Sequence, residues 1–292
     1  MLYNNLSTYL REKYGKRLKK ICIDGGFTCP NRDGKCGTGG CIFCGERGSG
    51  EHIDSALSIS EQVTRALDTA KDDELFIAYF QNFTNTYAPT EELKKRYDAA
   101  LIDKRIKILA IGTRADCITE EICELIKSYT DEREVWVELG LQTSNDSTAA
   151  LINRGYPKKT FIKAMELLKK HSIPVVVHLM IGLPGEGIGD YVESCRFVSS
   201  FAPFGVKIHS VYVMRGTRLA EMYEKKLYTP PTLSEYTDAV VYILRNLPSD
   251  TVIHRLTGDC PRDALVAPDW NADKNKILEE IRIKLQKSEA QK

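Results

Sequence analysis

The sequence predicts an α/β fold in which a parallel sheet, covered by helices, curls into a partial (β/α)6 barrel of the TIM type. Six short apolar segments alternate with helical patterns between residues 20 and 226. Apolar runs that continue without polar alternation are typical of parallel strands that are buried on both faces. Right-handed crossovers between such strands curl the sheet toward a barrel.

The strands are predicted where β-branched and aromatic residues cluster between polar turns. In chain order they cover residues 20–24, 74–80, 106–111, 135–141, 173–181 and 206–213. The first of them runs directly into a loop that is rich in cysteine and glycine.

The helices are predicted where apolar residues recur at a spacing of three and four. Ser60 and Thr119 are expected to cap two of them, because a hydroxyl before a helical pattern accepts hydrogen bonds from free backbone amides. The predicted helices cover residues 60–70, 90–101, 120–127, 147–152, 161–171, 191–201 and 218–226.

A Pro-rich break at residues 228–232 separates these units from a different pattern. Beyond it the sequence predicts a helix at 234–246, a strand at 251–254, a loop through Trp270 and a charged helix at 274–287. We therefore expect a barrel core over residues 1–228 and a short α/β C-terminal extension over residues 229–292 that packs on the barrel.

The composition is that of an ordinary globular chain, since 42% of its 292 residues are hydrophobic and 28% are charged. No apolar run approaches the ~20 residues that cross a membrane. The N-terminus lacks the basic-then-apolar order of a signal peptide. Nine cysteines without an export signal favour the reducing cytoplasm, and we expect no membrane partner.

The net charge of +1 gives no overall indication of nucleic-acid binding. One local exception lies just ahead of the cysteine loop, where six basic residues occur within ten positions. A solvated protein face is the favoured interpretation, and contact with a phosphate-bearing substrate is the alternative. These residues are Arg11, Lys13, Lys16, Arg17, Lys19 and Lys20.

The loop at residues 24–45 holds four of the nine cysteines, Cys29, Cys36, Cys41 and Cys44, together with seven glycines. Closely spaced cysteines in a glycine-rich loop are typical of a metal centre. Four cysteine ligands would form a closed structural site, whereas three would leave one coordination position open for catalysis. The loop by itself leaves both interpretations open.

Segments spread along most of the chain resemble the radical S-adenosylmethionine (SAM) enzymes. Within them the similarity is to the branch that contains the Elongator catalytic subunit and the small bacterial YhcC-like proteins. The segments that match lie at residues 20–34, 39–44, 138–143, 153–155, 178–185 and 254–259.

The resemblance implies a [4Fe–4S] cluster held by Cys29, Cys41 and Cys44, with SAM bound at its fourth iron. Eleven residues separate Cys29 from Cys41, where the usual first gap is three, and the resembling branch shares this longer gap. Phe43 is then expected against the adenine of SAM. Cys36 has no counterpart in the pattern, so it is either a bystander or a fourth ligand of a resting cluster.

The resemblance also implies SAM-binding residues at the ends of strands two to five, where barrel enzymes carry their active sites. Glu138, Arg154 and His178 each have a structural alternative, as a buried carboxylate, a surface ion pair and a core side chain. The expected set is Gln81, Thr84, Arg114, Glu138, Gln142, Arg154 and His178.

Two further cysteines, Cys117 and Cys260, are candidate hydrogen-atom donors to a substrate radical, although a cysteine is more often a small buried hydrophobe. In the extension, His254, Arg255 and Asp259 are expected to face the barrel mouth and contact substrate. The turn at residues 182–185 is expected to approach the adenine.

The resemblance implies reductive cleavage of SAM to a 5′-deoxyadenosyl radical that abstracts hydrogen from a substrate. The electron would come from a reductant such as flavodoxin or ferredoxin. A nucleoside in tRNA is one expected substrate, and a small metabolite is the alternative. A non-catalytic iron–sulfur or zinc protein that binds RNA and uses all four loop cysteines is the rival from another class.

Overall fold

The computed structural model describes residues 2–48, 50 and 53–289, and its centre is one parallel sheet of seven strands. The strands follow one another in the order β1-β2-β3-β4-β5-β6-β8, while β7 and β9 form a separate antiparallel ribbon. Their bounds are β1 Leu18–Ile23, β2 Leu75–Phe80, β3 Ile106–Arg114, β4 Glu134–Gln142, β5 Val175–Ile181, β6 Gly205–Ser210, β7 Val213–Met214, β8 Val252–Arg255 and β9 Leu265–Ala267.

Ten α-helices lie within the described residues, and most of them connect consecutive strands on the outside of the sheet. They are α1 Leu6–Tyr14, α2 Ile59–Asp68, α3 Thr90–Ala100, α4 Glu120–Ser128, α5 Asp146–Leu151, α6 Lys158–Lys170, α7 Ile188–Ser199, α8 Arg218–Glu224, α9 Leu233–Asn246 and α10 Lys274–Glu289. The predicted partial barrel is confirmed.

Local sequence explains where several helices begin. The cap of α2 is Ser58 and not Ser60, because Ser58 and Glu61 form a reciprocal capping box. Thr119 caps α4 as predicted, by accepting from the backbone amide of Ile122. A second capping box, between Thr232 and Glu235, starts α9 directly after the Pro-rich break.

The side chains that point into the barrel change character along its axis. At the bottom they are apolar, and α1 closes this end by adding Leu6 and Leu10 to the same cluster. Inside that cluster lie Leu18, Ile77, Ile108, Trp136, Val176 and Val252. Higher in the barrel the inward positions become polar and charged, which places the chemistry at the carboxyl ends of the strands.

Helix α1 lies in the segment that the sequence marks only as basic. Three of its side chains, Tyr9, Lys13 and Tyr14, contact the same carboxylate of Glu134; the hydroxyl of Tyr14 donates over 2.6 Å and Lys13 pairs over 2.9 Å. Two more basic residues of this segment, Lys16 and Lys19, pair with carboxylates. These ion pairs support the interpretation of the basic segment as a solvated protein face.

The seventh strand comes from the C-terminal extension, since β8 pairs in parallel with β6. The sixth strand is shorter than predicted: it ends at Ser210, and the chain then turns away to form β7. Among the described residues β1 and β8 form no ladder with each other, so the barrel is open along this side. No helix in the described part of the chain has the length and apolar character needed to cross a membrane.

Candidate active site

Three of the four loop cysteines line one cavity of about 270 Å³ at the carboxyl ends of the strands: Cys29, Cys41 and Cys44. A hydrogen bond from the thiol of Cys44 lowers the pKa of Cys41 to about 7. Cys36 does not line the cavity; its thiol is exposed and lies 3.5 Å from a carboxylate oxygen of Asp116. The loop therefore presents three thiols to the cavity and one to the outside.

A turn between α5 and α6 holds the cysteine loop in place. Asn153, in the left-handed conformation with φ 55°, donates through its amide to the carbonyls of Gly40 at 2.7 Å and Thr38 at 3.2 Å. Asn31 in turn donates to the carbonyl of Asn153, and its amide nitrogen lies 4.0 Å from the sulfur of Cys41. The loop and the turn are therefore joined by hydrogen bonds that run in both directions between Cys29 and Cys41.

Phe43 and the seven side chains expected at the strand ends around SAM line this same cavity. They come from the cysteine loop, from the ends of β2 to β5 and from the α5–α6 turn. The structure brings together Phe43, Gln81, Thr84, Arg114, Glu138, Gln142, Arg154 and His178.

Gln142 reaches the cavity through an unusual backbone. The pairing of β4 with β5 is irregular between Gly140 and Gln142, and Gln142 has a positive φ of 63°. A Cβ at Gly140 would lie 2.6 Å from the Gln142 amide nitrogen, so a larger residue here would displace the end of this side chain. Strain of this kind is typical of functional positions.

The two arginines make different contacts from those expected of a SAM ligand. Arg154 is only 1% exposed and donates to the carbonyls of Leu141 at 2.6 Å and Thr143 at 2.7 Å. Its remaining nitrogens reach the carbonyl of Tyr156 and, at 3.3 Å, the carboxylate of Asp146. Each nitrogen of this guanidinium is thus already bonded, and the contacts fix the end of β4.

Arg114 likewise faces protein groups. Two of its nitrogens donate to Asp116 over 2.9 and 2.8 Å, and the third donates to the backbone carbonyl of Arg154. A carboxylate paired in this bidentate way holds the guanidinium plane fixed. Arg114 therefore links β3 to the turn that supports the cysteine loop.

The floor of the cavity is a buried polar network. Lys207 on β6 pairs with Glu138, which also lies 3.0 Å from His178, and the lysine donates to the hydroxyl of Tyr79 over 3.2 Å. Burial opposes ionisation of Glu138, but the positive charges of Lys207 and Lys20 and the hydrogen bond from His178 together outweigh it and hold the pKa of this carboxyl well below its usual range. Burial lowers the pKa of His178, so the imidazole is neutral at pH 7.

Comparison with known proteins decides the family. The sequence profile of the radical SAM superfamily matches residues 32–198, and that of the radical SAM C-terminal domain matches residues 203–287. The chain belongs to the radical SAM superfamily of enzymes. The resemblance drawn from the motifs is thereby confirmed.

Relatives extend over almost all of this radical SAM chain. YtqA of Bacillus subtilis is 34% identical over 97% of the chain and 89% of its own length. YhcC of Escherichia coli is 33% identical over 92% and 87%. A Methanocaldococcus infernus protein named tRNA uridine(34) acetyltransferase is 31% identical, over 60% of this chain and 33% of its own length.

A solved structure confirms the fold. The archaeal Methanocaldococcus infernus Elp3 with an N-terminal deletion superposes with a TM-score of 0.70 at 20% identity, over 93% of this chain and 63% of that chain. The shared fold therefore includes both the radical SAM core and the C-terminal domain at residues 203–287.

Membership implies a [4Fe–4S] cluster and SAM, and residues of the cavity fit both. Within residues 2–48, 50 and 53–289 no three His, Cys, Asp or Glu side chains converge at single-ion distance. The donor set is three thiols on one glycine-rich loop, which is the chemistry of a cluster. Thr84 is fully buried beside them, and its hydroxyl finds no partner in the described structure, so it is available to a ligand.

Several lumen residues were missed by sequence reasoning, above all Lys207, His209, Tyr79 and Cys22. A signal was present. Lys207 and His209 occupy alternate positions of an apolar strand, and residues two apart on a strand share a face. Cys22 stands in the same relation to Lys20 on β1.

Some predicted residues do not reach the cavity. Neither Cys117 nor Cys260 lines it: Cys117 is buried in the short turn after β3, and Cys260 follows β8 in a loop. A hydrogen-donor role for either therefore stays a prediction. His254 packs edge-on against Trp136 at 5.0 Å, below the mouth, and Gly182 packs against Pro231 instead of lining the cavity.

Proposed function

We propose that this enzyme uses a [4Fe–4S] cluster on Cys29, Cys41 and Cys44 to cleave SAM reductively and to take a hydrogen atom from a nucleoside in tRNA. The observation that carries the proposal is the single cavity that holds these three thiols together with the polar barrel lumen, while Cys36 stays outside. A closed four-cysteine site would need the thiol of Cys36 among the others.

When bound and reduced, the cluster supplies the electron that splits SAM into methionine and a 5′-deoxyadenosyl radical. The chain's own residues position the parts of SAM. Of the cavity residues, Phe43 would pack against the adenine, Gln81 and the unpartnered hydroxyl of Thr84 would accept from the amino group, and Gln142 would bond the ribose hydroxyls. The two arginines support the site without contacting SAM. Arg114 joins the end of β3 to the turn between α5 and α6, and Arg154 holds the end of β4.

The lumen beneath this site holds the substrate. Glu138, His178 and Lys207 are fixed by mutual hydrogen bonds, so their positions are set before the substrate arrives. A preorganised polar floor of this kind orients one hydrogen of the substrate and accepts its polar groups.

Support for tRNA comes from the relatives. One of them is named tRNA uridine(34) acetyltransferase. The match covers 60% of this chain and 33% of the length of that protein. The electron comes from a flavodoxin- or ferredoxin-type reductant in this proposal. A small metabolite is the alternative substrate, favoured by the near-neutral net charge of +1.

The substrate class can be tested with protein reconstituted anaerobically with iron and sulfide. Two substrate fractions from cells that lack this gene are added with SAM and dithionite: unfractionated tRNA, and extract filtered to remove macromolecules. We expect tRNA alone to raise 5′-deoxyadenosine formation above the substrate-free rate and to yield a new nucleoside in mass spectra. Stimulation by the filtered extract alone would overturn the tRNA assignment.

A further inference from the structure

The charges that line the cavity are strongly unbalanced. Glu138 is its one carboxylate among the described residues, against six cationic side chains. Four of the cations have a carboxylate partner: Lys207 with Glu138, and three arginines with aspartates just outside the cavity. The cations are Lys20, Arg32, Arg114, Arg154, Lys207 and Arg255.

Lys20 is the cation on the substrate side that has no acidic partner. On β1 it shares the inward face with Leu18 and Cys22, whereas Lys19 points outward and pairs with Glu74 over 2.5 Å. The ammonium of Lys20 lies 5.5 Å from the ring centre of Tyr79, and no carboxylate of a described residue lies within ion-pair distance of it. Its side chain is exposed and lines the cavity where it adjoins the open side of the barrel.

Neighbouring groups in the lumen also have donors to spare. An ammonium has three N–H groups, and Lys207 uses two of them, toward Glu138 and Tyr79. One nitrogen of Arg255 donates to Asp259 over 2.6 Å, which leaves its other nitrogens open to a ligand. The Nε2 atom of His209 is buried and has no partner in the described part of the chain.

A second cavity of about 580 Å³ adjoins the first on the open side of the barrel. The two cavities share Lys20, Cys22, His209 and Arg255 as well as Gln81 and Tyr212. Since β1 and β8 border this side, a substrate that enters here passes Lys20 and Arg255 before it reaches Lys207.

We infer that the lumen binds an anionic group of the substrate, a carboxylate or a phosphate, between Lys20, Lys207 and Arg255. The inference rests on the proposed function, because it assigns the substrate end of the same cavity. An anion there accepts from the open donors of Lys207 and Arg255 and pairs with the ammonium of Lys20.

The protonation of Lys207 agrees with this site. Burial lowers the pKa of Lys207 to about 7 although Glu138 opposes the shift, and repulsion from Lys20 and Arg255 adds to it. An anion bound among the three cations stabilises the charged ammonium and raises this pKa again.

Cys22 provides a probe of the lumen that needs no substrate. Its thiol is accessible and faces the same three cations. Iodoacetate and iodoacetamide have nearly the same shape and differ in charge, so the ratio of their alkylation rates at Cys22 reports the local preference for an anion. Cys36, which is exposed beside Asp116, serves as the reference thiol in the same sample.

Rates are measured by peptide mass spectrometry on the full chain after cluster reconstitution, in the absence of SAM. We expect the iodoacetate-to-iodoacetamide ratio at Cys22 to exceed that at Cys36 by about tenfold at low salt. Lys20→Ala should reduce this excess several-fold. The matched control Lys19→Ala should leave it unchanged, because Lys19 points away from the lumen.

Two competitor probes then separate the sources of the anion. Protection of Cys22 from iodoacetamide by acetate but not by inorganic phosphate identifies a carboxylate site, and the reverse identifies a phosphate site. Equal ratios at Cys22 and Cys36, or no protection by either anion, would overturn the inference. Neither outcome touches SAM cleavage, so failure here is distinct from failure of the proposed function.

Discussion

The ion pair between Lys207 and Glu138 is the contact of the lumen most sensitive to mutation, because both charged groups are buried. Lys207 is 3% exposed, and one oxygen of Glu138 has no partner among the described residues. Such a pair stabilises a fold little by itself, yet loss of one member leaves the other charged and buried.

Replacing Lys207 with Met therefore destabilises the protein. We expect the free energy of unfolding in urea to fall by about 3–5 kcal/mol. The double variant Lys207→Met/Glu138→Gln should recover most of that loss, because no buried charge remains. Lys19→Met, at an exposed position, should change it by no more than about 0.5 kcal/mol. Equal losses in the single and double variants would contradict the account.

The same lysine gives a pH dependence with a definite sign. Its pKa falls from 10.5 in the unfolded chain to about 7 in the fold, so between these values the unfolded state binds more protons. Stability therefore rises with pH across this window, by up to about 1.4 kcal/mol per unit. Urea unfolding at pH 7 and 9 should show this rise in the parent and a smaller one in Lys207→Met/Glu138→Gln. An equal rise of the unfolding free energy with pH in the parent and in the double variant would contradict the lowered pKa of Lys207.

Arg154 shows how a side chain at a functional position can serve the scaffold. Its guanidinium holds two backbone carbonyls at the end of β4 and that of Tyr156 between α5 and α6, and a lysine cannot reach all three in the same plane. We expect Arg154→Lys to lower the free energy of unfolding by at least about 2 kcal/mol. Unchanged stability with weakened SAM binding would instead show that Arg154 is a direct SAM ligand.

At the scale of elements, the cysteine loop depends on the turn between α5 and α6. Asn153 supplies two hydrogen bonds to the loop and tolerates a positive φ that most residues avoid. Ile42 adds a backbone bond of 3.1 Å to the carbonyl of Ile152, so the loop is held at several points. The position of Cys41 is thus set by a segment more than a hundred residues later in the chain.

Removing the hydrogen bonds of Asn153 to the loop should weaken the binding of the cluster. We expect Asn153→Ala, after reconstitution, to release iron to a chelator about tenfold faster than the parent, because support around metal ligands contributes to affinity on that scale. Asn145→Ala, which removes the cap of α5, is the control and should release iron at the parental rate. Equal acceleration in both variants would mean that general destabilisation is responsible.

The elements that the sequence predicted are those whose pattern is local. The predicted strands are rich in apolar residues, and the residues of their carboxyl ends could be placed at the site because parallel strands share one edge. Helix α1 could not be predicted this way, since only Leu6 and Leu10 are buried and its role depends on the barrel end that it closes. The pairing of β8 with β6 is likewise set by tertiary contacts.

The site shows the same division. The three cluster cysteines, Phe43 and the strand-end residues follow from motif and position and meet in one cavity, whereas Cys36, Cys117 and Cys260 do not line it. The partners of Arg154 are backbone carbonyls, which carry no sequence signal. The ion pair of Lys207 joins two strands that are far apart in sequence, so alternation on β6 indicates an inward lysine without indicating its partner.

For the whole molecule, a barrel that is apolar and closed below, charged within and open between β1 and β8 separates three tasks. The cysteine loop covers the top of the lumen, the polar floor lies beneath it, and the side opening gives access. This arrangement explains why the loop presents three of its cysteines inward and leaves Cys36 beside Asp116.

The most direct test of a three-thiol centre is SAM cleavage by anaerobically reconstituted parent, Cys36→Ala and Cys41→Ala, reduced with dithionite and assayed for 5′-deoxyadenosine. We predict formation of this nucleoside by the parent and by Cys36→Ala at rates within about twofold, and none by Cys41→Ala, because Cys41 faces the cavity and Cys36 does not. Equal loss of iron and of nucleoside in both variants would contradict the account and indicate a closed four-cysteine site.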